Sequence, residues 1–263
     1  MSQVNVNIAW SAVRAILENN FSFNTIKEIM GLAGFDVTNL SHLEQRSGGG
    51  ASKGQLMTAI DRDLVKVLHD DKRHLINILV EEIVQRRPDL EGQLEKYLER
   101  LGWQIIEGNA IPIEILDKSD LPELPSQAKT DLIKAASRFR DGDLSGSLGS
   151  ACAAIDSVTS DIYTNRNLGD PGVAAFQERC TVAIKNSGLM MQLSQELHAL
   201  GWEERRVKPL IENFRGALNQ AAYIMQSLRA QMSDVHGTKP ALRSLVFDSV
   251  KFAAILVRAM NDA

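Results

Sequence analysis

Apolar residues recur every three or four positions along almost the whole chain, and the alternation of apolar and polar residues that marks strands is nearly absent. The run Leu75, Ile76, Leu79, Val80 and Ile83 is one example, and it places its apolar side chains on one face of a helix. Because an α-helix turns once in about 3.6 residues, this spacing buries one side of each helix. The pattern predicts an all-α protein.

One stretch departs from helical spacing. Residues 103–115 contain two short apolar runs separated by Gly108 and Asn109, a pair that favours a tight turn between strands. We therefore expect a small β-hairpin near 103–115 in an otherwise helical chain.

The distribution of prolines and charges predicts two domains. Residues 116–126 contain Pro122, Pro125 and several charges without periodicity, a composition typical of a connection between folded units. We predict a domain of four or five helices at 1–115, a linker at 116–126 and a second helical domain at 127–263.

Six helices are predicted in the second domain from apolar spacing, prolines and glycines, at about 128–139, 144–163, 171–188, 190–200, 208–235 and 241–260. Gly237 and Pro240 separate the long fifth helix from the sixth, as is typical of one helix end followed by the first turn of the next. These two helices form a hairpin, which we expect to be the spine of a helical bundle.

Charge is distributed unevenly along the chain, whose formal net charge is −4. Residues 1–126 carry 13 Lys and Arg against 19 Asp and Glu, while residues 127–263 carry 16 against 14. The acidic first half is a poor candidate for contact with nucleic acid. Any RNA contact in the weakly basic second half must be a local site.

Two features bear on the compartment. Cys152 and Cys180 fall within apolar helical patterns, which favours reduced thiols in a core over a disulfide or a metal site. The N-terminus lacks the pattern of a secretory signal, and no window approaches the roughly 18 apolar residues of a membrane span. We expect a cytoplasmic protein with no membrane partner.

An arginine and a histidine near the end of the chain are the strongest candidates for chemistry. Arg229 and His236 are about two helical turns apart, so a continuous helix would hold them within about 20° on one face. RNA is cut without metal when a base takes the 2′-hydroxyl proton, an acid protonates the leaving oxygen and a cation stabilises the phosphorane. His236 could transfer protons and Arg229 could supply the charge.

The predicted place of His236 at a helix C-terminus would favour its protonated form and an acid role. A single histidine rarely serves as both base and acid, whereas two copies of the chain facing each other would supply both. A purely structural interpretation also fits the spacing: His236 would cap helix carbonyls, and Arg229 would pair with a nearby carboxylate such as Asp234.

Two segments of the second domain resemble a known family. Residues 228–237, followed by the helix from Ala241, look like the closing signature of the abortive-infection C-terminal family, a branch of the HEPN superfamily, with an arginine, a spacer of four to six residues, a histidine and often a glycine. Residues 139–156 are similar to that family's opening turn and helix, where an acidic residue commonly stands at the position of Asp156. The resemblance spans about 127–263, in the same order along the chain.

The resemblance implies an antiphage endoribonuclease that cleaves RNA, with transfer RNA one candidate substrate, and that needs neither metal nor cofactor. It implies a homodimer along the long helices, with Arg229 and His236 as the catalytic pair. Asp156, Asp234 and Lys239 are candidate supporting residues. Lys239 would either contact a phosphate or remain a solvated surface lysine.

One position departs from the family pattern. The residue after the arginine is usually polar in active members, often asparagine, and here it is Ala230. An inactive HEPN adaptor that binds RNA, a nucleotide or a protein partner is therefore the alternative to an enzyme. A helical scaffold whose histidine only caps a helix is a third interpretation.

The first domain has a weaker likeness to the effector-associated and death-like modules of bacterial conflict systems. The likeness rests on apolar spacing from 23–30 through 54–60 to 75–79. It implies regulation or recruitment through a protein partner, and a generic helical domain is an equally good interpretation.

Three other motifs do not predict sites. Residues 48–54 lack the glycine before the lysine, the following Ser or Thr and the preceding strand of a phosphate-binding loop. His69 and His74 are five positions apart, which is wrong for chelation from one helix face. His198 is a lone histidine on an amphipathic helix, where a structural role is more common.

Overall fold

The computed structural model describes residues 3–46, 49–234 and 237–261, and within those ranges the chain forms eleven α-helices and two short antiparallel pairs of strands. The chain divides into two compact units, Met1–Ile113 and Glu114–Ala263. The prediction of an all-α protein with a small hairpin near 103–115 is confirmed. None of the described helices is both long and apolar enough to cross a membrane.

The first unit contains five of these helices and all four described strands. They run in the order α1 (Gln3–Asn20), α2 (Phe23–Leu32), β1 (Gln45–Arg46), β2 (Gly49–Gly50), α3 (Lys53–Leu64), α4 (His69–Arg86), α5 (Glu91–Glu99), β3 (Trp103–Ile106) and β4 (Asn109–Pro112). Apolar side chains from all five helices and from β3 form one continuous core. Helix α1 packs against α3, α4 and α5, which makes it an organising element of this unit.

Serine side chains fix where two helices of the first unit begin. Ser22 Oγ accepts the Thr25 N–H at the start of α2. Ser52 Oγ accepts the Gln55 N–H at the start of α3, and Gln55 Oε1 accepts the Ser52 N–H in return. This reciprocal capping box satisfies backbone donors that have no partner within the helix.

The turn of the β3–β4 hairpin lies one residue earlier than predicted. Ile106 pairs with Asn109, so the turn residues are Glu107 and Gly108, with φ of 50° and 80°. Positive φ at both positions is typical of the type I′ turn that suits a two-residue hairpin loop. Asn109 belongs to β4 because its backbone pairs across the hairpin, and its side chain donates to the Glu107 carbonyl over 3.0 Å.

The described residues of the second unit form a bundle of six α-helices. They are α6 (Ser126–Asp141), α7 (Leu144–Asn165), α8 (Phe176–Asn186), α9 (Leu189–Ala199), α10 (Glu204–Met232) and α11 (Arg243–Met260). Pro171 starts a short 3-10 turn, and α8 begins only at Phe176. Helix α10 begins four residues earlier than predicted and accommodates Pro209 near its start.

The centre of the second unit is α7, whereas the sequence predicted the α10–α11 hairpin as the spine. Helix α7 packs against α6, α8, α10 and α11. Small side chains line it, and those of Ser147, Ala151 and Ala154 are fully buried. Short side chains let neighbouring helices approach α7 closely from several directions. The length of α10, on which the predicted spine was based, does not show which helix is central.

The segment 116–126, predicted as a linker, packs within the second unit. Leu116, Leu121 and Leu124 are buried there. Asp120 pairs with Arg258 near the end of α11 over 3.5 Å. Prolines and charges hide the spacing of these leucines, which explains why the segment resembles a connection in the sequence.

Candidate functional site

Arg229 and Asp156, which are far apart in the sequence, form an ion pair in the second unit. Arg229 lies in the last turn of α10 and donates from Nη1 to Asp156 Oδ2 over 2.7 Å. Asp156 lies on α7, and each of the two side chains is 26% exposed. The fold thus brings together two residues that belong to separate segments of the family resemblance.

A second arginine, Arg179 of α8, shares the same carboxylate. Its Nη2 donates to Asp156 Oδ1 over 2.6 Å. The guanidinium carbons of Arg229 and Arg179 lie 5.3 Å and 5.9 Å from the centre of the Phe176 ring, which places both cations beside one aromatic side chain. We refer to Asp156, Arg179, Arg229 and Phe176 as the Asp156 cluster.

The charges of the Asp156 cluster do not balance. One carboxylate lies between two guanidinium groups, and arginine stays charged at any pH at which the protein folds. One positive charge is therefore left over at a half-buried position. Guanidinium groups present several donors in a plane and match the oxygens of a phosphate, so the cluster is suited to an anion of that shape.

A hydrogen bond between α8 and α10 helps to hold the cluster in register. The N–H of Gln177, at the start of α8, donates to Gln226 Oε1 on α10 over 2.9 Å. Gln226 is three residues before Arg229 and so lies one turn away on the same helix. The contact fixes the start of α8, which carries Phe176 and Arg179, against the end of α10.

The two cysteines lie near the cluster as free, buried thiols, as the sequence predicted. Burial raises the pKa of Cys152 to about 12, with Arg229 lowering it and Asp156 raising it by smaller amounts. Burial likewise raises the pKa of Cys180 to about 12. Both thiols are protonated near neutral pH, which makes them poor nucleophiles.

Asp234, a predicted supporting residue, pairs with a different arginine. Arg138 of α6 donates from Nη1 to Asp234 Oδ2 over 3.3 Å and to the Gly146 carbonyl over 3.0 Å. A Cβ at Gly149 would lie 2.4 Å from Asp234 Oδ1, so a larger residue there would displace this carboxylate. The carboxylate that holds Arg229 is Asp156, and Asp234 ties the end of α10 to α6 and α7.

Helix α10 ends at Met232, before the position of His236. Val235 and His236 lie outside the described residues. The inference that Arg229 and His236 share one helix face required a helix through both, and the helix stops three residues after Arg229. The predicted pair therefore depends on the turn that follows α10.

That turn folds back onto the last turn of α10. Gly237 donates to the Ser233 carbonyl over 2.7 Å, and the N–H groups of Thr238 and Lys239 both donate to the Gln231 carbonyl. A Cβ at Gly237 would lie 2.5 Å from the Met232 carbonyl carbon, which explains the glycine at this point. Ser233 and residues 237–239 thus lie close to the end of α10.

The remaining residues of the resemblance lie at the surface. Lys239 is exposed on this turn, where a lysine could either reach a phosphate or remain solvated. Ala230 is also exposed and provides no polar group beside Arg229. The departure from the family pattern therefore falls on a position open to solvent.

The other motifs have partners within the fold. Lys53, the lysine of the glycine-rich stretch, donates to the carbonyls of Glu18 and Phe21 over 2.7 Å and 3.3 Å. His198 Nε2 lies 2.9 Å from a Glu204 carboxylate oxygen. Among the described residues no three His, Cys, Asp or Glu side chains form a group that could hold a metal ion.

Sequence reasoning did not identify Arg179, Phe176 or Arg138. Phe176 and Arg179 are three positions apart and share a helix face, a weak signal that does not reveal what the face contacts. Arg138 immediately precedes the segment 139–156 and belongs to no motif of its own. Only the packing of α8 against α10 shows that a second arginine reaches Asp156.

Comparison with known proteins adds no relative. No family model, curated protein or solved structure matches this chain. The Asp156 cluster and the resemblance of the two segments are therefore the observations that bear on function.

Proposed function

We propose that the second unit is an RNA-binding and RNA-cleaving domain of the abortive-infection branch of the HEPN superfamily, in a cytoplasmic antiphage protein. The observation that carries the proposal is the Asp156 cluster, in which Arg229 of the closing segment meets Asp156 of the opening segment. The two short segments that resemble the family are distant in the sequence. Their contact at one half-buried, positively charged site supports the proposal more strongly than either segment alone.

In this proposal Arg229 and His236 are the catalytic residues, and no metal takes part. Arg229 stabilises the negative charge that develops on the phosphorane, since its guanidinium has more donors than Asp156 can occupy. His236 transfers protons between the 2′-hydroxyl, the leaving 5′-oxygen and solvent. Asp156 positions Arg229, and Lys239 contributes a further phosphate contact from the exposed turn.

The proposal includes a homodimer through α10, which would bring two copies of His236 to one cleft. The support is an apolar stripe on α10 with spacings of four and three residues, in which Leu210, Phe214, Ala217 and Ile224 are exposed, Leu228 is half-buried and Ala221 is buried within the unit. Leu210, Phe214 and Ile224 are 42%, 40% and 38% exposed, unusually high for large apolar side chains in register. A second copy is the occupant that we propose.

The first unit would serve regulation or recruitment in this protein. It is acidic and carries its own core, so it can act separately from the RNA site. This part of the proposal rests on its likeness to effector-associated modules, and a protein partner is its expected ligand.

Cleavage of RNA by matched variants tests the proposal. Purified wild type, His236→Ala and Arg229→Ala are incubated with total RNA and with transfer RNA in EDTA, and the new ends are sequenced. We expect fragments with 2′,3′-cyclic phosphate ends from the wild type and none from either variant. EDTA removes the activity of contaminating metal-dependent nucleases.

Two control variants distinguish chemistry from general damage. Arg215→Ala removes an exposed arginine from the same helix, and His198→Ala removes a histidine that pairs with Glu204. Both should cleave like the wild type, and circular dichroism should show that all variants keep their helices. A fully active His236→Ala protein would contradict the assignment, and silence of both site substitutions would favour the scaffold interpretation.

Analytical ultracentrifugation tests the dimer. Phe214→Glu and Ile224→Glu place charges in the α10 stripe and should convert the dimer to a monomer, while Met191→Glu on α9 should not. A monomeric wild type at tens of micromolar would contradict the proposed interface.

An RNA-binding adaptor without activity is the second candidate function. It is favoured by Ala230, which is exposed and offers no polar group beside Arg229, and by the weak net charge of the second half of the chain. An adaptor would bind RNA through the Asp156 cluster, and Arg229→Ala would weaken binding. It would yield no cleavage products under any condition, which separates it from the enzyme.

A further inference from the structure

The two oxygens of the Asp156 carboxylate are divided between two arginines on different helices. Oδ1 accepts from Nη2 of Arg179 on α8 over 2.6 Å, and Oδ2 accepts from Nη1 of Arg229 on α10 over 2.7 Å. Within the described part of the chain no other donor reaches this carboxylate. Each oxygen of Asp156 thus has one donor, and in both cases that donor belongs to a guanidinium group.

This division of the carboxylate leaves most of the Arg229 guanidinium group without an acceptor. A guanidinium group has five N–H donors, and a carboxylate commonly accepts two of them through parallel hydrogen bonds. Arg229 donates from Nη1 alone, and among the described residues neither its Nε nor its Nη2 has an acceptor. The oxygen that a second hydrogen bond from Arg229 would need is Oδ1, which is already bonded to Arg179.

Arg179 lies deeper in the second unit than Arg229 does. Its side chain is 16% exposed, against 26% for Arg229, and its Nε is buried with no hydrogen-bond partner among the described residues. Arg179 follows Phe176 by one turn of α8, and its guanidinium carbon lies 5.9 Å from the centre of that ring. Arg179 is therefore less accessible to a ligand than Arg229, and its principal polar contact is Asp156.

We propose that Arg179 is a positioning residue that keeps the remaining donors of Arg229 available to an RNA phosphate. By holding Oδ1 of Asp156, Arg179 limits that carboxylate to a single hydrogen bond with Arg229. Without Arg179, both oxygens of Asp156 would pair with Arg229 and would occupy two of the donors that stabilise charge on the phosphorane. The inference rests on the proposed function for its substrate, whereas the pairing of Asp156 with Arg229 can be measured without RNA.

Nitrogen-15 spectra of the Arg229 guanidinium group test the inference in the absence of RNA. The full chain is compared as wild type, as Arg179→Ala and as Lys185→Ala, which removes an exposed cation from the same helix. Two parallel hydrogen bonds to one carboxylate slow rotation about the Nε–Cζ bond more than one hydrogen bond does. We expect slower rotation of the Arg229 guanidinium group in Arg179→Ala than in the wild type, and an unchanged rate in Lys185→Ala.

A double-mutant cycle with Asp156→Asn tests whether Arg179 acts through that carboxylate. The affinities for inorganic phosphate and for an uncleavable 2′-fluoro oligonucleotide are measured together with the rate of single-turnover cleavage. Arg179→Ala should lower each by about tenfold or more in the wild-type chain, because Asp156 then occupies donors of Arg229. In the Asp156→Asn background the same substitution should cost less than about threefold, the smaller effect of a lost charge.

Two further substitutions at Arg179 keep the test valid. Arg179→Lys retains a cationic donor for Oδ1 of Asp156 and should restore part of the lost affinity. Arg179→Met retains an extended side chain without a donor and should behave like Arg179→Ala, which provides the same comparison if the alanine variant does not fold.

Three results would overturn the inference. The first is an unchanged rotation rate of the Arg229 guanidinium group in Arg179→Ala. The second is an equal loss of affinity from Arg179→Ala with and without Asp156, which would make Arg179 an independent phosphate contact. The third is an equal loss in Lys185→Ala, which would show a general effect of net charge. Absence of RNA cleavage by the wild type would contradict the proposed enzyme, and the rotation rate and phosphate affinity would still decide the role of Arg179.

Discussion

Each unit of the protein contains a cluster of ion pairs with a similar exposed fraction. The two clusters differ in whether carboxylates or guanidinium groups are in excess. In the first unit Arg14 lies between Asp61 and Glu18, at 2.9 Å and 2.7 Å, and the indole of Trp10 donates to Asp61 as well. In the second unit the carboxylate of Asp156 lies between two arginines. The side chains of Arg14 and Arg229 are 30% and 26% exposed, so depth does not distinguish them.

The difference lies in which charge is left over. Around Arg14 two carboxylates surround one cation, and the hydrogen bond to Asp61 raises the pKa of Arg14 further above its usual value. Around Asp156 two cations surround one carboxylate, which leaves capacity for an anion. We infer that the Arg14 cluster stabilises the fold and that the Asp156 cluster binds phosphate, although each resembles an ordinary ion pair.

The largest expected effect comes from removing the arginine of each cluster. Arg229→Ala should reduce the rate of RNA cleavage by about 100-fold or more, the usual cost of losing a charge that stabilises a transition state. Arg14→Ala should leave the rate unchanged and lower the free energy of unfolding by about 1 kcal/mol, a small value because the pair is partly solvated. Single-turnover cleavage and urea denaturation measure the two effects, and equal losses of cleavage rate would remove the distinction.

Alkaline pH should destabilise the second unit through its two cysteines. Burial raises the pKa of each thiol from 9.0 unfolded to about 12 folded. A thiol that is protonated in the folded state and ionised in the unfolded state favours unfolding, so stability is full below pH 9 and falls as pH rises through 9 to 12. The expected slope is up to about 1.4 kcal/mol per pH unit for each thiol.

Hydrogen exchange in α7 between pH 8 and pH 10.5, corrected for its intrinsic rate, checks this prediction. The variant with Cys152→Ala and Cys180→Ala is the control and should lose the thiol contribution to the slope. An unchanged pH dependence in that variant would show that other groups cause the effect.

Replacing Asp156 or Asp61 by asparagine should further distinguish the two clusters by their response to phosphate. Asp156→Asn raises the surplus at its cluster from one positive charge to two, so inorganic phosphate should stabilise the variant more strongly than the wild type. Its unfolding free energy without phosphate should fall by about 1 to 2 kcal/mol, as expected for a partly exposed charged hydrogen bond. Asp61→Asn should lose a similar amount and gain no response to phosphate, as measured by thermal unfolding in phosphate and in chloride.

The smallest effect concerns the dependence of RNA binding on salt. If Arg229 and Arg179 together neutralise about two phosphates, the slope of log K against log salt for single-stranded RNA should be about −1.4. Fluorescence anisotropy with an uncleavable 2′-fluoro oligonucleotide gives the slope. Arg179→Ala should reduce its magnitude by about half, whereas a steep slope that this variant leaves unchanged would point to a broad basic surface elsewhere.

The fold could be predicted well from the sequence because apolar spacing is a local property. Helices α6, α7, α9 and α11 begin and end close to the predicted positions. The sequence did not predict two features that depend on tertiary contacts: the leucines of 116–126 pack within the second unit, and α10 stops at Met232. Neither feature can be predicted from the spacing of apolar residues along the chain.

The site was predicted only in part. Arg229 and Asp156 were both named, and the fold brings them together, but their catalytic roles remain predictions. Arg179 was missed because nothing in the sequence shows that α8 packs beside the end of α10.

The most direct test of the central claim compares the arginine side chains of the two clusters. Nitrogen-15 spectra of the guanidinium groups are recorded while the full chain is titrated with the uncleavable 2′-fluoro oligonucleotide, and the signals are assigned from Arg229→Ala, Arg179→Ala and Arg14→Ala. We predict saturable shifts for Arg229 and Arg179 and none for Arg14. Equal shifts at all three, or none at Arg229, would contradict the proposal that the surplus positive charge at Asp156 binds RNA.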